Sequence, residues 1–144
     1  MKHYTRDNFQ VMQSIGFFLN RGRNLTAMEL DAALKPLEIT SQQVGILLTV
    51  SRGIANTPYE LSKLLGIDTG LMTRTLDKLE LKGLLVRSRC LEDRRVVNLE
   101  LTAAGNEIAD QIPDIASEVL NNRLQKFSPT EFQEFLRLLK KFAE

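Results

Sequence analysis

The sequence has few of the residues that build metal centres and nucleophilic active sites. It contains one cysteine, Cys90, one histidine, His3, and no tryptophan in 144 residues. A lone cysteine cannot form an intrachain disulfide, and the default setting for such a chain is a reducing, cytoplasmic one. No Cys/His metal-ligand spacing, Gly-rich phosphate loop or Gly-x-Ser-x-Gly motif occurs. We therefore expect no enzymatic activity, no metal and no cofactor.

Long apolar runs are also missing. No stretch approaches the roughly 20 apolar residues that a membrane span requires. The first residues, Met1–Asp7, lack the apolar segment of a secretory signal. Hydrophobic residues make up 43% of the chain and charged residues 26%, which is ordinary for a globular protein. The sequence predicts one cytoplasmic domain with no membrane partner.

Positive charge is concentrated rather than abundant. The net charge is only +1, but residues 63–99 hold eight Lys/Arg against five Asp/Glu, and residues 100–144 hold the reverse. Binding of nucleic acid depends on local positive charge more than on the total. The distribution favours a nucleic-acid contact in residues 63–99, although chance variation in a chain so rich in charge would give a similar pattern.

Capping residues and prolines divide the chain into six predicted helices and one hairpin. The first helix is predicted from about Arg6 to Leu34, because Pro36 cannot continue it. Ser, Thr or Asp residues precede each later helix, and a Gln or Glu that can complete a capping box follows three of them. The predicted N-caps are Thr40, Thr57, Asp68, Thr102 and Ser128.

Two of these helices form a helix-turn-helix pattern. They are joined through residues 65–68, and the second helix of such a pair enters the major groove of DNA. Met72, Leu76 and Leu79 form the apolar stripe of this reading helix, and polar residues lie opposite. An ordinary helical hairpin with solvated surface charges would show the same pattern.

A β-hairpin is predicted after Gly83. The apolar period there changes from the helical value to two, over residues 84–90 and 96–101, with one buried face. Residues 91–95 lack a tight-turn signal, so we expect a longer, exposed loop. Arg94 and Arg95 lie in it, and a guanidinium can enter the narrow, electronegative minor groove as a flat cation.

The stretch Thr69–Gly105 resembles the MarR (multiple antibiotic resistance regulator) family of winged helix-turn-helix repressors. The resemblance rests on Thr73-Arg74, Leu79, Lys82-Gly83 and the string Asp93-Arg94-Arg95…Leu101-Thr102-x-x-Gly105. It implies a mainly α fold, a winged helix-turn-helix with about six helices and a β-hairpin wing, in which the terminal helices form a dimerisation lobe. The single domain 1–144 would then contain a DNA-binding lobe, 36–101, and a helical lobe, 1–35 with 102–144. Cys90 in the wing is similar to that of SlyA-type members, and we expect it on the inner face of the hairpin.

The resemblance also implies roles for individual residues. Arg95, the arginine of the family's Asp-x-Arg, would lie at the minor groove, with Asp93 orienting the loop. Alternatively, the two merely pair and stiffen the turn. On the reading helix, Arg74 can bond guanine with two donors, and Gly70 lets the backbone come close. The predicted DNA-binding residues are Thr69, Gly70, Thr73, Arg74, Lys78, Asp93, Arg94 and Arg95.

Every phenylalanine lies near one end of the chain, and none lies in residues 19–126. A monomer would have difficulty covering so many, and large exposed apolar patches mark interfaces. The family builds its two-fold dimer from these ends, whereas the alternative is a self-contained core. The residues concerned are Phe9, Phe17, Phe18, Phe127, Phe132, Phe135 and Phe142.

A small-molecule effector is a further implication of the resemblance. Family members often release DNA when a phenolic or aromatic carboxylate ligand binds between the dimer helices and the DNA-binding lobe. A stripe of Phe and Met is more often core than pocket. The predicted lining residues are Met12, Phe17, Phe18, Arg21 and Leu48.

The sequence therefore predicts a cytoplasmic, homodimeric, sequence-specific double-stranded DNA-binding transcriptional regulator. It would act as a ligand-responsive repressor at a pseudo-palindromic operator. The alternative is a winged-helix module that binds proteins and not DNA. Such a module would lack the basic tip, and here Arg94 and Arg95 are present.

Overall fold

The computed structural model describes residues 1–144 and contains six α-helices and one antiparallel hairpin, which confirms the mainly helical prediction. Short 3-10 turns at Val11–Gln13 and Lys35–Leu37 flank the first helix. The elements are α1 (Ile15–Leu34), α2 (Ser41–Ser51), α3 (Pro58–Leu65), α4 (Thr69–Leu81), β1 (Leu85–Arg89), β2 (Val97–Leu101), α5 (Ala103–Leu124) and α6 (Pro129–Ala143).

The chain forms two compact units. One contains residues 1–29 and 116–144, and the other contains residues 30–115. The predicted DNA-binding lobe, 36–101, lies within the second unit, and the functional division into lobes stays a prediction. None of the helices combines the length and the apolar character that crossing a bilayer requires.

The prediction that the first helix begins near Arg6 is wrong, because α1 begins at Ile15. Thr5 and Asn8 bond each other's backbone N–H through their side chains and form a separate turn. The Ser14 hydroxyl then accepts from the N–H of Phe17 at 3.1 Å, as an N-cap does. The Tyr4 hydroxyl accepts from the N–H of Ile15 at 3.0 Å. Polar side chains that satisfy these free amides therefore set the helix start.

Residues 30–115 build the helix-turn-helix from local signals. The Thr57 hydroxyl accepts from the N–H of Glu60 at 3.2 Å and so opens α3. Gly66, with φ of 64°, ends α3 in the left-handed conformation. The Asp68 carboxylate accepts from the N–H of Leu71 at 2.9 Å and opens α4. The largest fully buried side chains of this unit are Leu34, Ile46, Leu47, Leu61, Met72, Leu76, Leu79, Leu85 and Ile112.

The hairpin has one buried face, as its period of two predicts. Leu85 pairs with Leu101 and Arg87 with Leu99, and the three leucines are buried. The N–H of Leu99 also donates to the carbonyl oxygen of Asn56 at 2.7 Å, which ties β2 to the chain just before α3. The prediction for Cys90 was an inner-face position in the strand. The residue is half-buried and lies just beyond β1.

The Leu-Thr-x-x-Gly segment holds the base of the hairpin to α5. The Thr102 hydroxyl donates to the carbonyl oxygen of Gly83 at 2.7 Å and accepts from the N–H of Gly105 at 3.1 Å. The N–H of Thr102 donates to the carbonyl oxygen of Leu84 at 3.1 Å. A Cβ at position 105 would overlap that same Leu84 oxygen, so only glycine fits. These bonds fix where the wing leaves the unit.

The unit formed by residues 1–29 and 116–144 leaves much apolar surface uncovered. Of the seven phenylalanines, only Phe17 is half-buried, and the other six are exposed. Within the unit, Arg123 and Glu29 form an ion pair at 2.6 Å. The apolar stripe of α6, all but one of its members exposed, consists of Phe132, Phe135, Leu136, Leu139 and Phe142.

Candidate nucleic-acid interface

Helix α4 presents one apolar and one polar face. Its buried side consists of Met72, Leu76, Leu79 and the Thr75 hydroxyl, which donates to the Leu71 carbonyl oxygen. This stripe anchors the helix in the unit, so the opposite side is held toward solvent. The predicted contact residues on that exposed side are Thr69, Gly70, Thr73, Arg74 and Lys78.

The first turn of α4 carries the Arg74 guanidinium. A Cβ at Gly70 would lie 3.3 Å from Nη1 of Arg74 and 3.2 Å from Oδ1 of Asp68, so the guanidinium lies close over this turn. The Thr73 hydroxyl donates to the Thr69 carbonyl oxygen at 2.9 Å. Arg74 and Lys78 take part in none of the ion pairs of the protein. Their donors therefore remain available to an outside acceptor.

At the wing tip, Asp93 and Arg95 pair and yet leave the arginine in solvent. The Asp93 carboxylate accepts from Nε and Nη2 of Arg95, each at 3.1 Å, and from its backbone N–H at 3.0 Å. These bonds hold the pKa of the Asp93 carboxyl below its usual range. The Arg95 side chain is nevertheless 91% exposed. Pairing and contact with DNA are thus compatible, because the pair orients a guanidinium whose outer edge is free.

The rest of the wing loop is closed by short bonds. Nη1 of Arg89 donates to the carbonyl oxygen of Arg94 at 2.7 Å. The N–H of Cys90 donates to the Val96 carbonyl oxygen at 2.9 Å. The side chain of Arg94 makes no hydrogen bond or ion pair, and the residue is exposed. The loop therefore exposes Arg94 and Arg95, which are neighbours in sequence, on a backbone that hydrogen bonds within the loop hold in place.

The sequence pattern gave no role to Arg87, the residue that joins helix α4 to strand β1. Its Nη2 lies 2.6 Å from Oδ1 of Asp77, and its Nε lies 2.6 Å from Oε2 of Glu80. The bond to Asp77, with that to Glu80, raises the pKa of Arg87. The sequence does contain part of this arrangement. Arg87 lies on the apolar face of a predicted strand, and Asp77 and Glu80 lie three residues apart on the preceding helix.

Lys82 is exposed but is likewise bonded to other parts of the protein. Its Nζ donates to the carbonyl oxygen of Glu38 at 2.6 Å and to Oε1 of Gln43 at 3.2 Å. That Gln43 oxygen also accepts from the N–H of Thr40 at 3.1 Å. Lys82 therefore secures the end of α4 to the start of α2.

The residues predicted to line an effector pocket fall in different units. Met12, Phe17, Phe18 and Arg21 belong to the unit that contains residues 1–29, and the rings of Phe17 and Phe18 meet edge to face at 5.3 Å. Leu48 is half-buried in α2 of the other unit. The pocket stays a prediction.

Known proteins are similar to this chain in sequence and in fold. The model of the MarR family matches residues 39–97. The chain is 32% identical over 122 residues to the multiple antibiotic resistance protein MarR of Escherichia coli (strain K12), with 85% of each chain covered. A mutant MarR from E. coli complexed with operator DNA is similar with a TM-score of 0.80 and 30% identity, over 90% of this chain and 94% of that one.

A more distant structure shows the same fold. It is the structure of BpsR from Bordetella bronchiseptica, a protein whose DNA binding is regulated by 6-hydroxynicotinic acid. The TM-score is 0.83 at 20% identity, over 94% of this chain and 97% of that one. With a relative 32% identical across most of its length, and with the reading helix and wing described above, this chain belongs to the MarR family.

Proposed function

We propose that this MarR-family DNA-binding transcription regulator binds a pseudo-palindromic operator as a homodimer and represses transcription there. The observation that carries the proposal is two exposed cationic elements on one compact unit. The first is the face of α4 with Arg74 and Lys78, and the second is the wing tip with Arg94 and Arg95. A helix fits the major groove and an arginine fits the minor groove.

Each predicted contact has a distinct proposed role. Arg74 reads a base, since its guanidinium can give two donors to guanine. Arg95 enters the minor groove while Asp93 holds it, and Arg94 and Lys78 neutralise phosphate. Thr69, Gly70 and Thr73 lie at the end of the helix where backbone amides and hydroxyls can approach the DNA backbone.

The proposed dimer places the reading helices in two half-sites. The exposed phenylalanines of residues 1–29 and 116–144 support it, because apolar surface of that extent is costly in water. The basic wing tip argues against a winged-helix module that binds only proteins. The proposed location is the cytoplasm, because a regulator of this kind must reach the DNA.

A phenolic or aromatic carboxylate effector is a further part of the proposal. The paired rings of Phe17 and Phe18, 5.3 Å apart, and the exposed Arg21 support it, because an aromatic acid needs apolar contact and a cation. The 6-hydroxynicotinic acid of BpsR concerns that distant protein and does not identify the ligand of this one. Met12, in the same unit as the two rings, and Leu48, in the other unit, stay predictions from the sequence.

Selection of random DNA fragments by the purified protein tests the DNA-binding proposal. Two reading helices related by a two-fold axis occupy successive major grooves. The enriched site should therefore be a pseudo-palindrome with half-site centres about 10–10.5 base pairs apart, or a multiple of that. A matched selection with the Arg74→Ala, Arg95→Ala double variant should enrich nothing. A footprint on one asymmetric half-site would contradict the proposed geometry.

The dimer is tested by adding one charge to α6. Phe135→Glu places a carboxylate on the apolar stripe, and we expect it to shift the protein from dimer to monomer at micromolar concentration. Gln133→Glu adds the same charge outside that stripe and should leave the dimer unchanged. Light scattering measures both. A full-length wild-type protein that is a stable monomer would remove the dimer from the proposal.

A further inference from the structure

Arg87 connects the reading helix with the wing. It lies in the middle of β1, on the face that the hairpin otherwise fills with Leu85, Leu99 and Leu101. From there its guanidinium reaches two carboxylates on α4, those of Asp77 and Glu80, through two different nitrogens. Asp77 and Glu80 are three residues apart, so both lie on the same side of the helix.

The covalent connection between these elements is short. Only residues 82–84 separate α4 from β1, and Gly83 adopts a φ of 72°. A left-handed glycine sets the direction of the turn but has no side chain to resist bending. The Arg87 guanidinium supplies a side-chain attachment between α4 and β1. Because it is planar and bonds through two nitrogens to two separate carboxylates, it fixes an angle as well as a distance.

The charges of this cluster also matter. With both carboxylates occupied by Arg87, neither pairs with Arg74 or Lys78 on the same helix. The Arg87 side chain is only 30% exposed and two of its nitrogens are bonded to carboxylates, so it is poorly placed to neutralise phosphate.

We infer that Arg87 is a positioning residue for DNA recognition: by clamping Asp77 and Glu80 it sets the angle of the wing relative to the reading helix. Arg74 and Arg95 then reach the major and minor grooves of one half-site together. The inference rests on the proposed function and adds a residue that itself makes no contact with DNA. Loss of the clamp should reduce the preference for operator over random DNA.

The sharpest test neutralises the two acids and keeps the arginine. On charge alone, Asp77→Asn with Glu80→Gln makes the helix more positive and should strengthen binding to all DNA. The clamp predicts instead that the ratio of operator affinity to random-DNA affinity falls about tenfold, which corresponds to about 1.4 kcal/mol. Titrations of both DNAs with the full-length variant measure this ratio.

Changes at Arg87 itself give a second measurement. Arg87→Gln should lower the same ratio about tenfold and leave the slope of log K against log salt on random DNA unchanged. Arg87→Lys, which carries the charge but lacks the planar fork, should recover part of the ratio. Arg123→Gln is the matched control, because Arg123 is 31% exposed and pairs with Glu29 at 2.6 Å in the other unit. It should bind both DNAs as the wild type does.

The outcomes separate the inference from the function on which it rests. The inference is overturned if the ratio of operator affinity to random-DNA affinity stays at the wild-type value in both Arg87→Gln and the acid variant, which is Asp77→Asn with Glu80→Gln. An equal loss of affinity for operator and random DNA would overturn it as well. If Arg87→Gln unfolds, the acid variant decides alone. If the wild-type protein itself prefers no DNA sequence, the proposed function has failed, and the titrations show this before any variant is compared.

Discussion

Replacing Gly105 with alanine should destabilise the protein by about 3 kcal/mol, which is the upper part of the range for overpacking a tightly fitted site. The new Cβ would overlap the carbonyl oxygen of Leu84, which is backbone and cannot rotate away. Relief requires α5 to move from the hairpin, and this lengthens the bonds that Thr102 makes to Gly83 and Leu84. Thermal unfolding followed by circular dichroism should show a fall in Tm of about 10 °C.

The matched substitution is Gly22→Ala. Gly22 lies in the interior of α1, and a Cβ there would meet no heavy atom within 4 Å. Alanine has the higher helix propensity, so this variant should be unchanged or more stable by about 0.5–1 kcal/mol. An equal Tm for the two variants would show that the contact between Gly105 and Leu84 does not hold the wing base.

The two arginines of the interface should lose different parts of DNA binding. Arg95→Ala should weaken binding to operator and to random DNA alike, because a wing contact supplies charge and a preference for groove shape. In a dimer it removes two cationic contacts. A cation in the minor groove also displaces counterions, so the slope of log K against log salt should then flatten by about 1.8, at roughly 0.9 per lost cation. Arg74→Ala should cost roughly 1–3 kcal/mol on the operator and relax discrimination at one position per half-site.

Asp93→Ala is the control for the Arg95 experiment. The carboxylate carries the same sign of charge as phosphate, so its loss frees the loop without removing a cationic contact. We expect weaker operator binding with an unchanged salt slope. If Arg95 served only to pair with Asp93, the two alanine variants would behave alike and neither would change the slope. Titrations of the wild type and the three variants at three salt concentrations distinguish these outcomes.

Much of the fold followed from local chemistry along the chain. Thr57, Asp68 and Ser128 each accept a backbone N–H at a helix start, as predicted, because a capping bond spans only three residues. The period of two after Gly83 predicted the hairpin, since alternate side chains of a strand face opposite sides. The wing arginines could be found in the same way, because a loop without a tight-turn signal was expected to be exposed.

Other features did not follow from the apolar pattern. The apolar pattern predicts too early a start for α1, because it continues upstream of Ile15 and only the Tyr4 and Ser14 hydroxyls show where the amides are satisfied. Lys82 reads as a surface cation, but its bonds run to Glu38 and Gln43, about forty residues away. No periodicity in the sequence encodes such a pair.

The sequence by itself determined which segments form helices and strands, which face of each is apolar and which loop carries the arginines, because these properties depend on neighbours within one or two turns. Tertiary structure alone decided that Arg87 binds Asp77 and Glu80, and that the Leu84 oxygen occupies the space beside Gly105. Both contacts join elements whose relative placement comes from the packed core. A long, flexible side chain such as arginine has many partners within reach, and only that placement selects among them.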